Sequence, residues 1–240
     1  MKRAWANFPA GRRGLPVRAL CCLIAVMTLG GCEMMQRIPG WSGRSRVVEP
    51  VEYRPTNVHR KSDVLPLEIK RVAVLPISGM TDDPSLEAGE DALGPVLQAE
   101  LEKTKRFEIV AVSPEEMQRL TGQAKWRPDE ELPEGFFERL HTRTGCDAVL
   151  FCQLARYHAY PPLAVGWKLS LVQGAGPEIL WSVDEVFDAG NPEVASGAKA
   201  YYTQHVRTET PPHDSETIMR APTLFGQYSL NAVFGTLPRR

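Results

Sequence analysis

Nucleophiles and metal ligands are the side chains that most often identify a catalytic site, and their spacing in this sequence predicts none. There is no Gly-x-Ser-x-Gly motif, and the five histidines form neither an i, i+4 pair nor a His-Glu-x-x-His motif. Cys146 and His141 come closest to a nucleophile and its base, but a predicted helix end and loop separate them. We therefore expect no catalytic residue, no metal and no cofactor, and identify no small-molecule substrate.

Neighbouring acids are the second source of chemistry. Such acids occur at 82–83, 129–131 and 184–185. A hydrolase based on paired carboxylates needs two of them facing across a cleft, and Asp82 with Asp184 is the pair that would have to converge. Acids in loops are usually solvated or lie near helix starts. We predict that the protein is not an enzyme, with a carboxylate-dependent envelope hydrolase as the alternative.

The formal net charge of −1 sums unlike segments. Residues 1–31 hold five Lys or Arg and no acid, and residues 33–67 hold six basic and four acidic residues. Residues 68–240 hold 17 basic against 25 acidic residues, a net charge of −8. Nucleic-acid binding needs a basic domain, so an acidic domain excludes it and favours a basic or mixed protein surface as partner.

The basic front of the chain has the order of a secretory signal. Five basic residues precede an uncharged apolar run of thirteen residues, 19–31. Such a run makes about 20 Å of helix, which is shorter than the roughly 30 Å hydrocarbon core of a bilayer. The run ends in Leu29-Gly30-Gly31-Cys32, which resembles the lipobox of bacterial lipoproteins, with an ordinary signal peptide as the alternative. The resemblance implies cleavage before Cys32 and acylation of that cysteine, which attaches the chain to the membrane.

The predicted mature chain has two parts. Residues 32–67 carry the lipidated cysteine and a flexible tether, because proline and glycine interrupt every apolar pattern. A basic tether can alternatively lie on anionic headgroups. Glu33 replaces the aspartate that would resemble an inner-membrane retention signal, which favours the outer membrane. Residues 68–240 form one periplasmic domain.

The domain has an α/β pattern. The predicted order is β-α-β-α-α-β-β-β-α-α, which indicates a mixed sheet of about five strands with helices packed on it. A hairpin of residues 165–172 and 178–187 alternates clearly, with Trp167 and Leu169 opposite Ile179 and Trp181 on its apolar face. The last helix is predicted to run from about Ser215 to Thr236 with a bend at Pro222. Cys146 and Cys152 are expected to be buried thiols too far apart for a disulfide.

Two groups of residues are candidates for a partner surface. Trp126, Tyr157 and Tyr160 lie in or beside predicted loops, where large aromatic side chains often anchor interfaces. Lys168, Ser182 and Asp184 lie on the polar face of the hairpin, so we expect that face to be solvated or to have a partner.

Four segments carry a resemblance to a known group: residues 71–77, 106–110, 145–150 and 179–181. Together they are similar to the penicillin-binding-protein activator lipoproteins, the curli-secretion lipoprotein and the amino-terminal domain of the Tol translocation protein. The resemblance implies a non-enzymatic α/β domain that binds partners in the periplasm. It departs from the curli lipoprotein, whose paired long alternating segments form a pore, because only one hairpin alternates here.

We therefore expect a lipoprotein of the outer membrane that holds the bilayer through Cys32 and binds another envelope protein. A peptidoglycan synthase and a secretion or transport assembly are the partner classes that the resemblance implies. A ring-forming structural subunit is a further alternative.

Overall fold

The structure is a computed structural model that describes residues 53–126, 130–206 and 215–240. Residues 49–240 form one compact unit. The predicted signal at 1–31 and the lipidation site Cys32 lie outside the described residues, so both stay predictions.

One mixed sheet of seven described strands forms the centre of the domain, which confirms the predicted mixed α/β fold and adds two strands to the five expected. Its order is β1-β7-β6-β5-β2-β4, and β3 pairs with β5 beyond the end of β2. The strand β2 runs parallel to both neighbours, whereas β5, β6, β7 and β1 are antiparallel. The strands are β1 (Val58–Arg60), β2 (Arg71–Val74), β3 (Ser78–Gly79), β4 (Glu108–Ala111), β5 (Ala148–His158), β6 (Ala164–Gln173) and β7 (Glu178–Asp188).

Five α-helices connect or follow these strands. They are α1 (Pro84–Lys103), α2 (Pro114–Thr121), α3 (Phe136–Thr144), α4 (Pro192–Tyr201) and α5 (Pro222–Phe234). A π-helical turn, Tyr202–Val206, follows α4, and a 3-10 helix, Ser215–Arg220, precedes α5. The single bent helix predicted for 215–236 is therefore wrong. Pro222 disfavours helical backbone at the residue before it, and Ala221 is extended with φ −113° and ψ 98°.

Helices cover the two faces of the sheet unequally. On the first face α1, α4 and α5 enclose the main core, whose largest side chains include Trp167, Trp181 and Phe187. On the second face α2 and α3 enclose a smaller core over β2, β4 and β5, which includes Leu140 and Val149. No described helix contributes to a core over the second face of β6, β7 and β1.

The described segment before β2 packs on the sheet, although the sequence predicted that the domain begins at Glu68. Residues 58–60 add strand β1 to the edge of the sheet beside β7, and Leu65 is 3% exposed. Val64 also forms a bridge with Arg239. The prolines of this segment predicted a linker, but edge strands and their flanks accept proline because part of their backbone lacks a partner. The part of the predicted tether that the structure describes, 53–67, is packed against the domain.

Both cysteines of the domain are buried and free, as predicted. Burial raises the pKa of Cys146 and of Cys152. The His141 ring contacts the carbonyl oxygen of Cys146 through Nδ1 at 2.6 Å. These thiols have the properties of packing residues, not of activated nucleophiles.

Candidate functional site

The candidate site is the uncovered part of the second sheet face, here called the open face. It comprises the outward side chains of β6 and β7, together with those of β1 and the adjoining part of β5. Lys168 of β6 lies directly opposite Asp184 of β7 in the strand register, and Ser170 lies opposite Ser182. Asp184 is exposed and the other three are half-buried. The structure thus brings together the three polar residues that the sequence predicted for a partner surface.

Alternation along the hairpin produces this face. Trp167 and Leu169 point into the main core and are fully buried, so the residues between and after them point the other way. A register shift between Leu171 and Val172 interrupts the pattern at the end of the hairpin. Ile179, predicted on the apolar face, is 48% exposed, because the irregular pairing changes the side on which it lies.

The open face carries the ion pair of Arg156 with Asp188 at 3.7 Å and two further charges, those of Lys168 and Asp184, that are not paired with described residues. Lys168 and Asp184 are neighbours on adjacent strands, yet no ion pair joins either side chain to another described residue. The Asp184 backbone N–H donates to the carbonyl oxygen of Asn57 at 3.1 Å, which leaves its carboxylate at the surface. A cation and an anion side by side suit a partner surface of mixed charge.

Gln153 adds an unusual feature beside Lys168, its partner on β6. It is 5% exposed, and its amide nitrogen has no hydrogen-bond acceptor. Ser78, its neighbour on β3, donates instead to the carbonyl oxygen of Trp126 at 2.7 Å. Most buried donors in proteins have a hydrogen-bond acceptor. The Gln153 amide nitrogen lacks one, at the border between the covered part of the second sheet face and the open face.

Two of the three aromatic candidates for the partner surface are buried in this structure. Trp126 is 9% exposed in the smaller core, and its indole N–H donates to the carbonyl oxygen of Glu130 at 3.2 Å. Tyr157 is also 9% exposed and packs in the main core, where Gly89 of α1 leaves room for its ring. The loop that carries Trp126 folds back onto the domain, whereas Tyr157 belongs to β5, which extends to His158, and faces the main core. Tyr160, between β5 and β6, is 77% exposed and remains a candidate.

Glu185, next to Asp184, has a role that the sequence did not indicate. Its side chain accepts hydrogen bonds from the Tyr53 hydroxyl at 2.9 Å and from the backbone N–H of Thr56 at 2.6 Å and of Asn57 at 3.3 Å. Burial, followed by the hydrogen bond and charge of Glu185, raises the pKa of Tyr53 to about 12. Neighbouring strand residues point to opposite faces, so Glu185 fixes the incoming chain while Asp184 faces outward.

The acids proposed for a hydrolase occupy separate places. Asp82 lines a cavity of about 460 Å³ with Asp83, Glu90 and Lys125, and this cavity does not include Asp184. Asp83 caps α1, and its hydrogen bonds with Ser85 lower the pKa of its carboxyl. Within the cavity Glu90 already accepts from the Gly79 backbone N–H and pairs with Lys125. The two acids that had to converge are therefore not brought into one cavity.

Three solved structures resemble this fold at a distance. The PelC dodecamer from Paraburkholderia phytofirmans is 12% identical, with a TM-score of 0.44, over 77% of this chain and 98% of that one. Lipoprotein GNA1162 from Neisseria meningitidis is 18% identical, with a TM-score of 0.37, over 58% and 99%. The LpoB C-terminal domain from Salmonella enterica is 19% identical, with a TM-score of 0.31, over 49% and 82%. Likenesses this distant carry no inference about binding, assembly or anchoring.

The chain matches no protein-family model and no curated protein. Among the described residues, no helix combines the length and apolar character that crossing a bilayer requires. The same part of the chain holds no cluster of three His, Cys, Asp or Glu side chains suited to a metal ion.

Proposed function

We propose that this chain is a lipid-anchored protein of the bacterial outer membrane whose open face binds another envelope protein in the periplasm. The lipobox ending at Cys32 supports the anchor. The open face supports the binding role, and the observation that carries it is the pair Lys168 and Asp184, adjacent and opposite in charge but without ion pairs among the described residues. A peptidoglycan synthase or a component of a secretion or transport assembly is the partner class.

We propose a binding role and not a catalytic role for the open face. The open face presents serine, lysine and aspartate side chains on a sheet surface. His59 of β1 lies opposite Ser182, but among the described residues no hydrogen bond joins these two side chains, as activation of a nucleophile by a base requires. The two acids considered for a hydrolase, Asp82 and Asp184, do not share a cavity. Exposed Val186 and Ile179 add apolar area near the charged pair. Apolar groups with flanking polar and charged side chains are the ordinary composition of a protein interface.

The anchor is tested by the substitution Cys32→Ala in cells fed an alkyne-tagged fatty acid. We expect the tag on the unchanged protein and none on the variant. A variant that still carries the tag would show that Cys32 is not the acylated residue.

The binding role is tested by placing a photo-crosslinking amino acid in the full chain at Ser182 and, as a matched control, at Glu102 on the opposite side of the sheet. We expect a discrete crosslinked product with another envelope protein at Ser182 alone, lost when Lys168→Glu is added. Equal products at both positions would overturn the proposal. A product that contains two copies of this chain would overturn it in favour of the ring-forming alternative.

A further inference from the structure

A basic cleft lies away from the open face, where the carboxyl-terminal ends of α1 and α5 meet the incoming chain. Its volume is about 570 Å³, which is in the range of small-ligand sites. Among the described residues, four cationic side chains line it, Arg54, Arg60, Lys103 and Arg106, against one carboxylate, that of Glu100. This concentration of positive charge is notable because residues 68–240 carry a net charge of −8.

The positive charge of the basic cleft exceeds the negative charge beside it. Glu100 is 3% exposed, and its Oε1 already accepts from Lys103 Nζ and from Gln227 Nε2 at 2.9 Å. The two helix ends contribute about half a negative charge each. Even with Arg54 left out of the sum, the other three cations against Glu100 and the two helix ends leave a surplus of about one positive charge among the described residues.

Two of the four cations are available to a ligand. The Arg106 guanidinium makes no hydrogen bond or ion pair with the described residues, although its backbone carbonyl accepts from Arg240 at 2.7 Å. Arg60 has one ion-pair contact, 3.9 Å from Asp63, and the two side chains are 41% and 79% exposed. Guanidinium groups bind phosphate with two parallel N–H donors, so this pair suits a phosphate-bearing anion.

The position of the basic cleft indicates where such an anion would come from. Tyr53 and Arg54, the first described residues, form part of its wall. Only twenty residues, 33–52, separate Tyr53 from Cys32, and a chain of that length spans at most about 70 Å. The cleft is thus the part of the domain that lies closest along the chain to the lipid anchor.

We propose that the basic cleft binds the phosphate of an anionic phospholipid headgroup in the membrane that holds Cys32. This proposal rests on the lipid anchor of the proposed function. Headgroup binding would hold this end of the domain at the bilayer surface and leave the open face to a partner protein.

The test uses the chain from Glu49, which contains the whole compact unit and every described core residue but no lipid. Its co-sedimentation is measured with vesicles of phosphatidylcholine with and without phosphatidylglycerol. The double variant Arg60→Gln/Arg106→Gln is compared with Arg119→Gln/Arg139→Gln, which removes the same charge from exposed positions on α2 and α3. Titration with glycerol phosphate in solution distinguishes a headgroup from a free phosphate compound.

We expect binding only to vesicles with phosphatidylglycerol, weakened about thirtyfold by the cleft variant, since each basic side chain near an anionic bilayer contributes about a factor of five. The control variant should bind within about threefold of the unchanged chain. Equal weakening by both variants would overturn the site. Binding of glycerol phosphate without binding of vesicles would overturn the lipid source. Neither result depends on acylation of Cys32, which the fatty-acid label tests separately.

Discussion

The covered and open halves of the second sheet face differ in strand direction as well as in surroundings. In the covered half β2 is parallel to β4 and β5, and helical connections between parallel strands bring α2 and α3 onto this face. In the open half a tight turn of four residues, 174–177, joins β6 to β7, so this connection does not cross the face. Chain connectivity therefore determines which part of the sheet stays uncovered and accessible to a partner.

The largest expected effect lies in the covered half. Leu140 of α3 is fully buried in the smaller core, so Leu140→Ala should lower the free energy of unfolding by about 2–5 kcal/mol. Urea denaturation of the chain from Glu49 measures it. A loss below about 1 kcal/mol would mean that Leu140 of α3 is not packed in a core on this half of the sheet. The two halves would then not differ in burial as described.

The next effect compares neighbours on opposite sides of β7. Glu185→Gln should lower the free energy of unfolding by about 1–2 kcal/mol, because the carboxylate accepts several hydrogen bonds from residues 53–57. The matched control Asp184→Asn should change it by less than about 0.5 kcal/mol, because Asp184 is exposed on the open face. Equal losses would contradict the assignment of these two acids to different faces.

A smaller, pH-dependent effect is expected at Tyr53. Its pKa is raised to about 12, so the folded chain favours the protonated phenol. This contribution is fully present below pH 10 and is lost as the pH rises toward 12. Tyr53→Phe should remove that part of the alkaline loss in unfolding measurements across this range. An unchanged pH profile in the variant would show that burial and Glu185 do not raise the pKa of Tyr53.

The smallest effect is expected on the open face itself. Lys168→Gln and Ser182→Ala should each change the free energy of unfolding by less than about 0.5 kcal/mol, since both side chains are half-buried and neither forms an ion pair. Thermal or urea unfolding checks this. A loss above about 1 kcal/mol would give these residues a structural role and weaken the case for a binding surface.

The periodicity of apolar residues predicted most of the fold. Alternation in residues 165–187 and helical spacing in the segment that forms α1 each extend over many residues, so they indicate which side chains are buried. Periodicity missed β1 and β3, which are too short to show a period, and it placed Trp126 and Tyr157 at the surface. The burial of Trp126 depends on a loop that folds onto the domain, and that of Tyr157 on a strand that runs further than its sequence pattern indicated. The role of Glu185 depends on a segment more than a hundred residues earlier, and no local pattern reports such a contact.

Whether a partner covers the open face in the cell is the most direct test of the proposed binding role. Ser182→Cys and Glu102→Cys variants are labelled with a maleimide in envelope fractions and after purification, with buried Cys146 and Cys152 as unreactive background. We expect slower maleimide labelling of the Ser182→Cys thiol in the envelope than in the purified protein, while labelling of the Glu102→Cys thiol is the same in both. Equal labelling of the Ser182→Cys variant in both preparations would contradict binding at the open face.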